Sequence, residues 1–245
     1  MHSITRPLIG FPGGKSTVSE KIIKEFPKEY NKFCEVFAGG ASVYWKENKA
    51  KERVINDKTK EVMDFYKKFK DTSCEVVRNC DMDLSMEERK NACNNREKSV
   101  CQYLQGNKFA FNGLCSQGLS HKDRAMSNVK RDCEKYKEKL QHTKILNQDW
   151  QTIANKCDKK DSVIFLDPPY VKKSFKYPHE GVTPQEVCDF ARKSKAKVVI
   201  TYDNDPSVRK ACKGLHIKKL PIKYSMTTGT LGKAKKVNEL LIKNY

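Results

Sequence analysis

Short apolar runs alternate with longer polar stretches along most of this chain. The runs are rich in Val, Ile, Leu and Phe, which is typical of strands buried in a sheet. Because helix-like stretches separate them, they predict a mostly parallel sheet with helices on both faces. The last two runs have only a short connection, too short for a helical crossover, which predicts an antiparallel pair. The seven predicted strands are residues 33–37, 53–55, 145–146, 163–166, 198–202, 216–224 and 237–243.

Helix-start signals support this alternation. Thr183-Pro184-Gln185-Glu186 and Ser85-Met86-Glu87-Glu88 both have the capping-box pattern, with Glu three residues after the N-cap. Asp205-Pro206 predicts the start of another helix that Gly214 can close. Three further stretches, residues 43–46, 59–69 and 86–104, are also typical of helices.

A long polar segment, residues 59–140, separates the second and third predicted strands. A parallel sheet does not need such an insertion. We therefore expect a helical subdomain over 59–140, with residues 1–58 and 141–245 forming the α/β domain. The insertion ends in a basic, loop-like stretch, residues 113–131.

The charge balance indicates the class of partner. Lys and Arg number 49 against 30 Asp and Glu, a formal net charge of +19. Such an excess favours a polyanion such as nucleic acid, since phosphate neutralisation supplies most non-specific affinity. A lysine-biased composition on solvated helices would give the same balance, so charge alone does not decide the partner.

The ten cysteines are scattered and no pair has Cys-x-x-Cys spacing. Zinc sites and disulfide frameworks usually cluster their cysteines, so we expect small buried apolar side chains in a reducing compartment. No apolar run has the length of a membrane span, and the first residues lack the apolar region of a signal peptide. These features predict an intracellular protein that is not secreted.

The run Val163-Ile164-Phe165-Leu166 leads into Asp167-Pro168-Pro169-Tyr170. The prolines cannot donate ladder hydrogen bonds, so the strand must end there. Asp167 and Tyr170 are then held at the carboxyl end of a central strand, where open α/β sheets bind ligands. A carboxylate and a backbone carbonyl can accept both protons of an exocyclic amine, and a tyrosine can stack on its ring. The motif therefore indicates chemistry on a nucleobase amino group, although alone it could also be an ordinary strand terminator.

Two glycine-rich elements precede this motif. Residues 10–16, Gly-Phe-Pro-Gly-Gly-Lys-Ser, resemble a phosphate-binding P-loop, but the first glycine is one residue too close to the Gly-Lys pair. A nucleotide triphosphatase is therefore a distant alternative. Residues 33–42 predict a strand that enters a glycine turn. This turn could be purely structural, or it could bind an adenosine-containing ligand. Asp57, after the next strand, is placed to bond ribose hydroxyls or to cap a helix.

The order of these elements resembles the Dam-type family of N6-adenine DNA methyltransferases, which use S-adenosylmethionine. The resemblance implies a Rossmann-like class I methyltransferase fold, with a mostly parallel seven-stranded sheet and an antiparallel last strand. Two departures matter: Ala41 stands where the family commonly has a second spaced glycine, and Ser116 stands where GATC-specific members carry a base-reading arginine. The signatures are residues 11–15, 35–42, 111–115, 167–170 and 237–245.

The resemblance also assigns residues to roles. Lys15 is expected to pair with the cofactor carboxylate, Asp57 to hold its ribose, and Asp149 and Trp150 to lie beside its adenine. The expected catalytic residues are Asp167, Pro168, Pro169 and Tyr170. The expected cofactor-binding residues are Phe11, Pro12, Gly13, Gly14, Lys15, Glu35, Phe37, Gly39, Gly40, Ala41, Ser42, Asn56, Asp57, Asp149, Trp150 and Asp167. The expected DNA-binding residues are Asn112, Gly113, Lys122, Arg124, Lys130, Arg131, Lys172 and Lys173.

The implied function is transfer of a methyl group from S-adenosylmethionine to the N6 amine of an adenine flipped out of double-stranded DNA. No metal and no membrane are expected to take part, and the protein is expected to be a monomer or weak dimer. RNA adenine or DNA cytosine-N4 methylation remains open, and related loops also serve methylation of a glutamine amide. A DNA-binding protein on a decayed methyltransferase scaffold is a further alternative. The biological setting, restriction-modification, viral or regulatory, also remains open.

Overall fold

The computed structural model describes residues 4–120, 126–171, 181–224 and 235–245. Its centre is one seven-stranded sheet with the order β3-β2-β1-β4-β5-β7-β6. All seven predicted strands are confirmed. Their bounds are β1 Lys32–Glu35, β2 Glu52–Asn56, β3 Thr143–Leu146, β4 Ser162–Leu166, β5 Lys197–Asp203, β6 His216–Tyr224 and β7 Lys235–Lys243.

The first five strands are parallel and the last strand reverses direction. β1 pairs in parallel with β2 and β4, so the strand order changes direction between β1 and β4. β7 lies between β5 and β6 and is antiparallel to both. The expected mostly parallel sheet with an antiparallel last strand is therefore confirmed. The carboxyl ends of β1 to β5 share one edge, which is where such sheets bind ligands.

Helices cover both faces of the sheet, and their starts follow the sequence signals. Thr183 and Ser85 each form a complete capping box, and Asp205 accepts the N–H of Ser207 as an N-cap. The α-helices are α1 Ser19–Ile23, α2 Lys60–Asp71, α3 Cys74–Arg78, α4 Met86–Asn94, α5 Val100–Phe109, α6 Ser127–Arg131, α7 Cys133–Gln141, α8 Trp150–Cys157, α9 Pro184–Lys193 and α10 Pro206–Ala211.

Two helix predictions are wrong in detail. Residues 86–104 form two helices, because the Ser99 side chain caps a new helix by accepting the N–H of Gln102. Residues 43–46 form successive turns and no helix. There the Val43 carbonyl accepts from both Lys46 and Glu47, so the backbone does not settle into the regular helical ladder.

The helices of the insertion share a core with one face of the sheet. Apolar side chains of α2, such as Met63 and Tyr66, are fully buried in the cluster that contains Phe33 and Phe165. The opposite face packs α8, α9 and α10 in a second cluster. No helix within the described ranges has the length and apolar character needed to cross a membrane.

The expectation for the cysteines is wrong, since all ten form disulfides. Sequence spacing could not show this, because the partners lie on different helices and strands that meet only in the fold. Three disulfides connect elements of the insertion and two lie in the α/β part. The pairs are Cys74–Cys133, Cys80–Cys101, Cys93–Cys115, Cys34–Cys157 and Cys188–Cys212.

Candidate active site

Acidic residues follow or end four adjacent parallel strands at the carboxyl edge of the sheet. Glu35 is the last residue of β1, and Asp57 comes directly after β2. Asp149 follows β3, and Asp167 comes directly after β4. Because these strands are parallel neighbours, their ends bring residues distant in sequence to one edge of the sheet.

Three side chains hold the Asp167 carboxylate. The Thr201 hydroxyl on β5 donates to Oδ1 over 2.6 Å, and the Tyr170 hydroxyl lies 3.3 Å from the same oxygen. The Lys15 ammonium lies 2.8 Å from Oδ2. The carboxylate therefore has a fixed orientation at the end of the buried strand β4, as the sequence predicted for its position.

Lys15 is buried, with only 3% of its side chain exposed. Its ammonium also donates to the Gly13 carbonyl over 2.7 Å and lies 4.9 Å from the centre of the Tyr170 ring. Burial alone would lower the pKa of Lys15, but the nearby Asp167 and Glu239 carboxylates outweigh it and raise the pKa above its usual value. The amine is therefore held in its charged form.

Glu239 on β7 is a member of the site that the sequence analysis missed. It is 2% exposed, and its Oε2 accepts the Tyr170 hydroxyl over 2.5 Å. The same oxygen lies 3.8 Å from the Lys15 ammonium. The signal that could have found it is a single acidic residue directly before the apolar residues 240–242 of a predicted strand.

The first glycine turn packs against the N-terminal loop. Gly39 has φ +46°, and a Cβ built there would lie 2.5 Å from the Phe11 ring. A Cβ on Gly40 would lie 3.1 Å from the Ile9 carbonyl. These glycines therefore allow residues 9–11 to approach the turn closely. The space beside Gly39 and Gly40 is therefore occupied by the protein's own N-terminal loop.

Ala41 has a left-handed backbone with φ +53°. It stands at the position where the resembling family commonly has glycine, and a residue with a Cβ is strained in this conformation. Its neighbour Ser42 is also buried, with its hydroxyl close to Gly14. The turn thus keeps a glycine-like conformation although it lacks the glycine.

Glu35 supports the segment that follows this turn. Its buried carboxylate accepts the backbone N–H of Tyr44 over 2.6 Å. Burial raises the pKa of Glu35 to about 8, although that backbone hydrogen bond acts in the opposite direction. Glu35 therefore holds the backbone that follows the glycine turn, the turn that was expected to bind the cofactor.

Asp57 and Asn56 connect the loops at the ends of the strands. Asp57 accepts the N–H of Gly39 and the N–H of Thr59, each over 2.8 Å. The Asn56 amide donates to the Val36 carbonyl and to the Gln148 carbonyl. The structure thus places both residues beside the glycine turn, where they hold the backbone.

Aromatic rings line the edge beyond β1. The ring centres of Phe37 and Trp150 lie 5.8 Å apart, and Phe190 packs edge-on against Trp150. Asp149 is exposed and caps α8 by accepting the N–H of Gln151 over 2.8 Å. The predicted pair Asp149 and Trp150 therefore stands at the start of α8, next to Phe37.

Asn112 and Gly113 of the insertion approach the N-terminal loop. Gly113 has φ +75°, and a Cβ there would lie 2.4 Å from the Gly10 carbonyl. Asn107 of α5 fixes this approach, since its amide accepts the N–H of Gly10 over 2.8 Å and donates to the Gly10 carbonyl over 2.9 Å. Sequence reasoning missed Asn107, which nothing distinguishes from other polar residues of a helix. Beside it, the exposed Asn112 follows Phe111, a 41% exposed ring.

The other expected DNA contacts are spread out. Lys130 donates to the Cys80 carbonyl over 2.7 Å, and Arg131 pairs with Asp132 over 2.6 Å. Their helix α6 packs on α3 and α7, so the structure does not bring these two side chains together with Asn112. Lys122, Arg124, Lys172 and Lys173 lie outside the described residues.

Comparison with known proteins decides the family. The model of the D12 class N6 adenine-specific DNA methyltransferases matches residues 11–226. The chain belongs to this family. The match covers the glycine turn, the insertion and the Asp167 loop, so the resemblance seen in the sequence is confirmed.

Individual relatives agree with this membership. The chain is 24% identical over 184 residues to a DNA adenine methylase of Haemophilus influenzae, covering 67% of this chain and 64% of that relative. It is 22% identical over 275 aligned positions to the type II methyltransferase M1.LlaDCHI of Lactococcus lactis, covering 98% and 95%.

The chemistry of the edge fits the cofactor of a D12 methyltransferase. S-adenosylmethionine presents a carboxylate, ribose hydroxyls and an adenine ring. The edge offers a buried ammonium in Lys15, a carboxylate in Asp57 and an aromatic pair in Phe37 and Trp150. In the described part of the chain, no three His, Cys, Asp or Glu side chains cluster closely enough to hold a metal ion.

Proposed function

We propose that this protein methylates the N6 amine of adenine in double-stranded DNA, with S-adenosylmethionine as the methyl donor. The observation that carries the proposal is the Asp167 carboxylate, fixed by Thr201 and Lys15 at the carboxyl end of β4. Membership in the D12 family supplies the substrate class that the geometry alone does not. A carboxylate held in this way can accept a hydrogen bond from the N–H of an amine bound beside it.

Named residues would hold the cofactor. Lys15 and Phe11 would border its methionine end, Asp57 its ribose, and Asp149 and Trp150 its adenine. When bound, it supplies an electrophilic methyl group on a sulfonium. Lys15 pairs with Asp167 in this structure, so on our proposal its ammonium would serve both the catalytic carboxylate and the carboxylate of the cofactor.

Asp167 and Pro168 would activate the target nitrogen. The lone pair of an adenine N6 is delocalised into the ring, so the amine is a poor nucleophile. The Asp167 carboxylate and the Pro168 carbonyl would each accept one N–H, which moves the nitrogen towards sp³ geometry. Since a carboxylate oxygen has two acceptor positions, Asp167 can take such a bond while it keeps Thr201 or Lys15.

Tyr170 would hold the flipped base. An adenine inside a duplex is out of reach, so it has to leave the stack before it can react. Stacking on an aromatic ring is worth about 1–3 kcal/mol per base. The Tyr170 hydroxyl donates to Glu239 over 2.5 Å, which fixes the orientation of the ring on which the base would stack.

The insertion would contact the DNA. Asn112 and Phe111 are exposed beside the N-terminal loop that carries Lys15. The net charge of +19 would supply the affinity for phosphates that does not depend on sequence. We expect the protein to act inside the cell, wherever its DNA resides, as a monomer or weak dimer. Ser116 is exposed where GATC-specific members carry arginine, so we leave the target word open.

Expression in cells that lack adenine methylation tests the proposal. We expect mapping of N6-methyladenine to reveal methylation at one short sequence word, and none with Asp167→Ala. Asp167→Ala should still bind DNA, because the carboxylate contributes nothing to phosphate binding.

Matched DNA and RNA duplexes with labelled cofactor complete this test. Label in RNA alone would replace DNA by RNA as the substrate, and label at cytosine N4 would replace adenine. Asp167→Ala activity within tenfold of the wild type would contradict the role of the carboxylate.

A further inference from the structure

We propose that Glu239 is a positioning residue that orients the Tyr170 ring for the target base. The inference rests on the proposed function, since Tyr170 is the ring on which the base would stack. Glu239 lies on β7, the antiparallel strand, and is outside the Asp167 loop. It would act through Tyr170 and would not itself touch substrate.

The position of Glu239 is fixed by the sheet. It pairs with Asp203 of β5 in the antiparallel register and is 2% exposed. Its Oε2 accepts the Tyr170 hydroxyl over 2.5 Å. Bonds to an ionised acceptor are shorter and about twice as strong as neutral ones. The hydroxyl therefore has a strong anchor on a strand whose backbone cannot shift easily.

Tyr170 needs such an anchor because of where it stands. It lies on the loop directly after Pro168 and Pro169, beyond the end of β4. Its ring is partly exposed and touches Tyr202, with ring centres 5.9 Å apart. The hydrogen bond from its hydroxyl to Glu239 is directional, so it helps to set the angle of the ring.

The two functional side chains of the loop are fixed by the same device. Thr201 of β5 orients Asp167, and Glu239 of β7 orients Tyr170. Lys15 lies 3.8 Å from Glu239, which compensates a buried carboxylate that would otherwise be costly. Two neighbouring strands thus support the reacting carboxylate and the stacking ring.

Removal of the anchor should affect turnover more than binding. In Glu239→Leu the ring can rotate, and a displacement near 1 Å can cost about 100-fold in rate. We expect a fall in kcat of about 10- to 100-fold, with the KM for S-adenosylmethionine within about threefold of the wild type. Glu239→Gln keeps an acceptor oxygen and should retain activity within about fivefold.

A double-mutant cycle with Tyr170→Phe is the decisive experiment. Both Tyr170→Phe and Glu239→Leu remove the same hydrogen bond, so the double variant should be no slower than Glu239→Leu alone. Multiplying effects on kcat would overturn the proposal. So would Glu239→Leu activity within twofold of the wild type.

The same cycle measured by urea denaturation does not need activity. A shared hydrogen bond predicts that the two substitutions destabilise the fold less together than the sum of their separate effects. Additive effects would overturn the proposal. If the wild type methylates nothing but the coupling in unfolding is present, the proposed function fails and the anchoring contact stands.

Glu25→Gln is a matched control. Glu25 forms ion pairs with Lys218, near the start of β6, and with Lys243, the last residue of β7. Its substitution weakens the same pair of strands far from Tyr170. We expect Glu25→Gln to lower the melting temperature and to leave kcat unchanged. If Glu25→Gln lowered kcat as much as Glu239→Leu, the Glu239 effect would be a general response to a weakened sheet, and the proposal would be overturned.

Discussion

The Lys15 ammonium lies 2.8 Å from the Asp167 carboxylate, in a site where 3% of the lysine side chain is exposed. Removal of the cation leaves two carboxylates, Asp167 and Glu239, without their positive partner. Breaking a buried pair in this way costs about 3–5 kcal/mol. We expect Lys15→Met to lower the free energy of unfolding by about 3 kcal/mol and to abolish methylation.

Urea denaturation of Lys15→Met, Asp167→Asn and the double variant checks this prediction. The double variant should be more stable than the sum of the two single effects predicts, because one of the two carboxylates that lost Lys15 is then neutral. Lys46→Met is the control, since its partner Glu20 is 76% exposed and such pairs contribute under about 1 kcal/mol. Equal costs for Lys15→Met and Lys46→Met would contradict the buried pair.

Ala41→Gly should not weaken the protein, although Ala41 is fully buried. A left-handed backbone costs a residue with a Cβ about 1–2 kcal/mol, whereas burial of one methyl group stabilises by about 0.8 kcal/mol. The backbone entropy of glycine offsets about 0.5–1 kcal/mol more, so the stability should stay within about 1 kcal/mol of the wild type. Ala38→Gly is the control, since Ala38 is buried in the same loop without a positive φ, and should cost about 1 kcal/mol. Thermal unfolding of both variants decides; the same loss in both would refute strain at Ala41.

Stability should depend on pH through Glu35, whose pKa is raised to about 8 by burial. A group with a raised folded-state pKa stabilises the fold below its unfolded pKa, near 4.5, and this contribution is lost as the pH rises through 8. Relative to the wild type, Glu35→Gln should therefore gain stability between about pH 5 and pH 9. Glu25→Gln should show a constant difference over this window, since the Lys218 hydrogen bond lowers the pKa of Glu25. Urea midpoints across the window measure both; a flat difference for Glu35→Gln would rule out the raised pKa.

The disulfides predict that the purified, unreduced protein has no titratable thiols even after denaturation. If the protein acts inside the cell, they must persist against cellular thiols, as disulfides do in intracellular proteins of hyperthermophiles. The Cys34–Cys157 bond spans 123 residues and Cys80–Cys101 spans 21. In the chain-entropy description, loss of the longer loop costs about 1–2 kcal/mol more. Thiol titration and the melting temperatures of the two Ala double variants check this, and ten reactive thiols would refute the pairing.

Asn107 should link the insertion to cofactor binding. Asn107→Ala removes the hydrogen bonds to the N–H and the carbonyl of Gly10, next to Phe11. We expect a smaller rise in melting temperature on addition of S-adenosylmethionine. Gln105→Ala is the control on the same helix, since Gln105 donates to the Asp81 carbonyl within the insertion. A cofactor response that is identical in both variants would show that the link to Gly10 does not matter.

The strands and the loop that carries Asp167 could be predicted because local signals determine them. The run before Asp167 is fully buried as predicted, and Pro168 and Pro169 end it. The capping boxes at Ser85 and Thr183 form as their spacing indicates. In these places propensity, hydrophobic pattern and hydrogen bonding favour the same structure.

The site partners could not be predicted, because they depend on register and packing. Thr201 and Glu239 stand within apolar strands, and only the order of β4, β5 and β7 brings them to the loop. The sequence left the glycine turn open as a structural turn or a ligand site, and only the fold shows that Gly39 admits the Phe11 ring. The cysteine pairs likewise depend on which helices meet. These contacts join residues that are distant in sequence, so the local sequence pattern does not contain them.

The clamp that Asn107 places on Gly10 and Gly113 has a consequence for changes of specificity. The Asn107 amide connects the segment that would read the DNA to the loop that carries Lys15, so a displacement of one should displace the other. Substitutions in residues 111–117 that change the DNA recognition sequence would therefore also displace the loop that carries Lys15. Retargeting this enzyme would call for compensating substitutions around residue 10 as well as new contacts to bases.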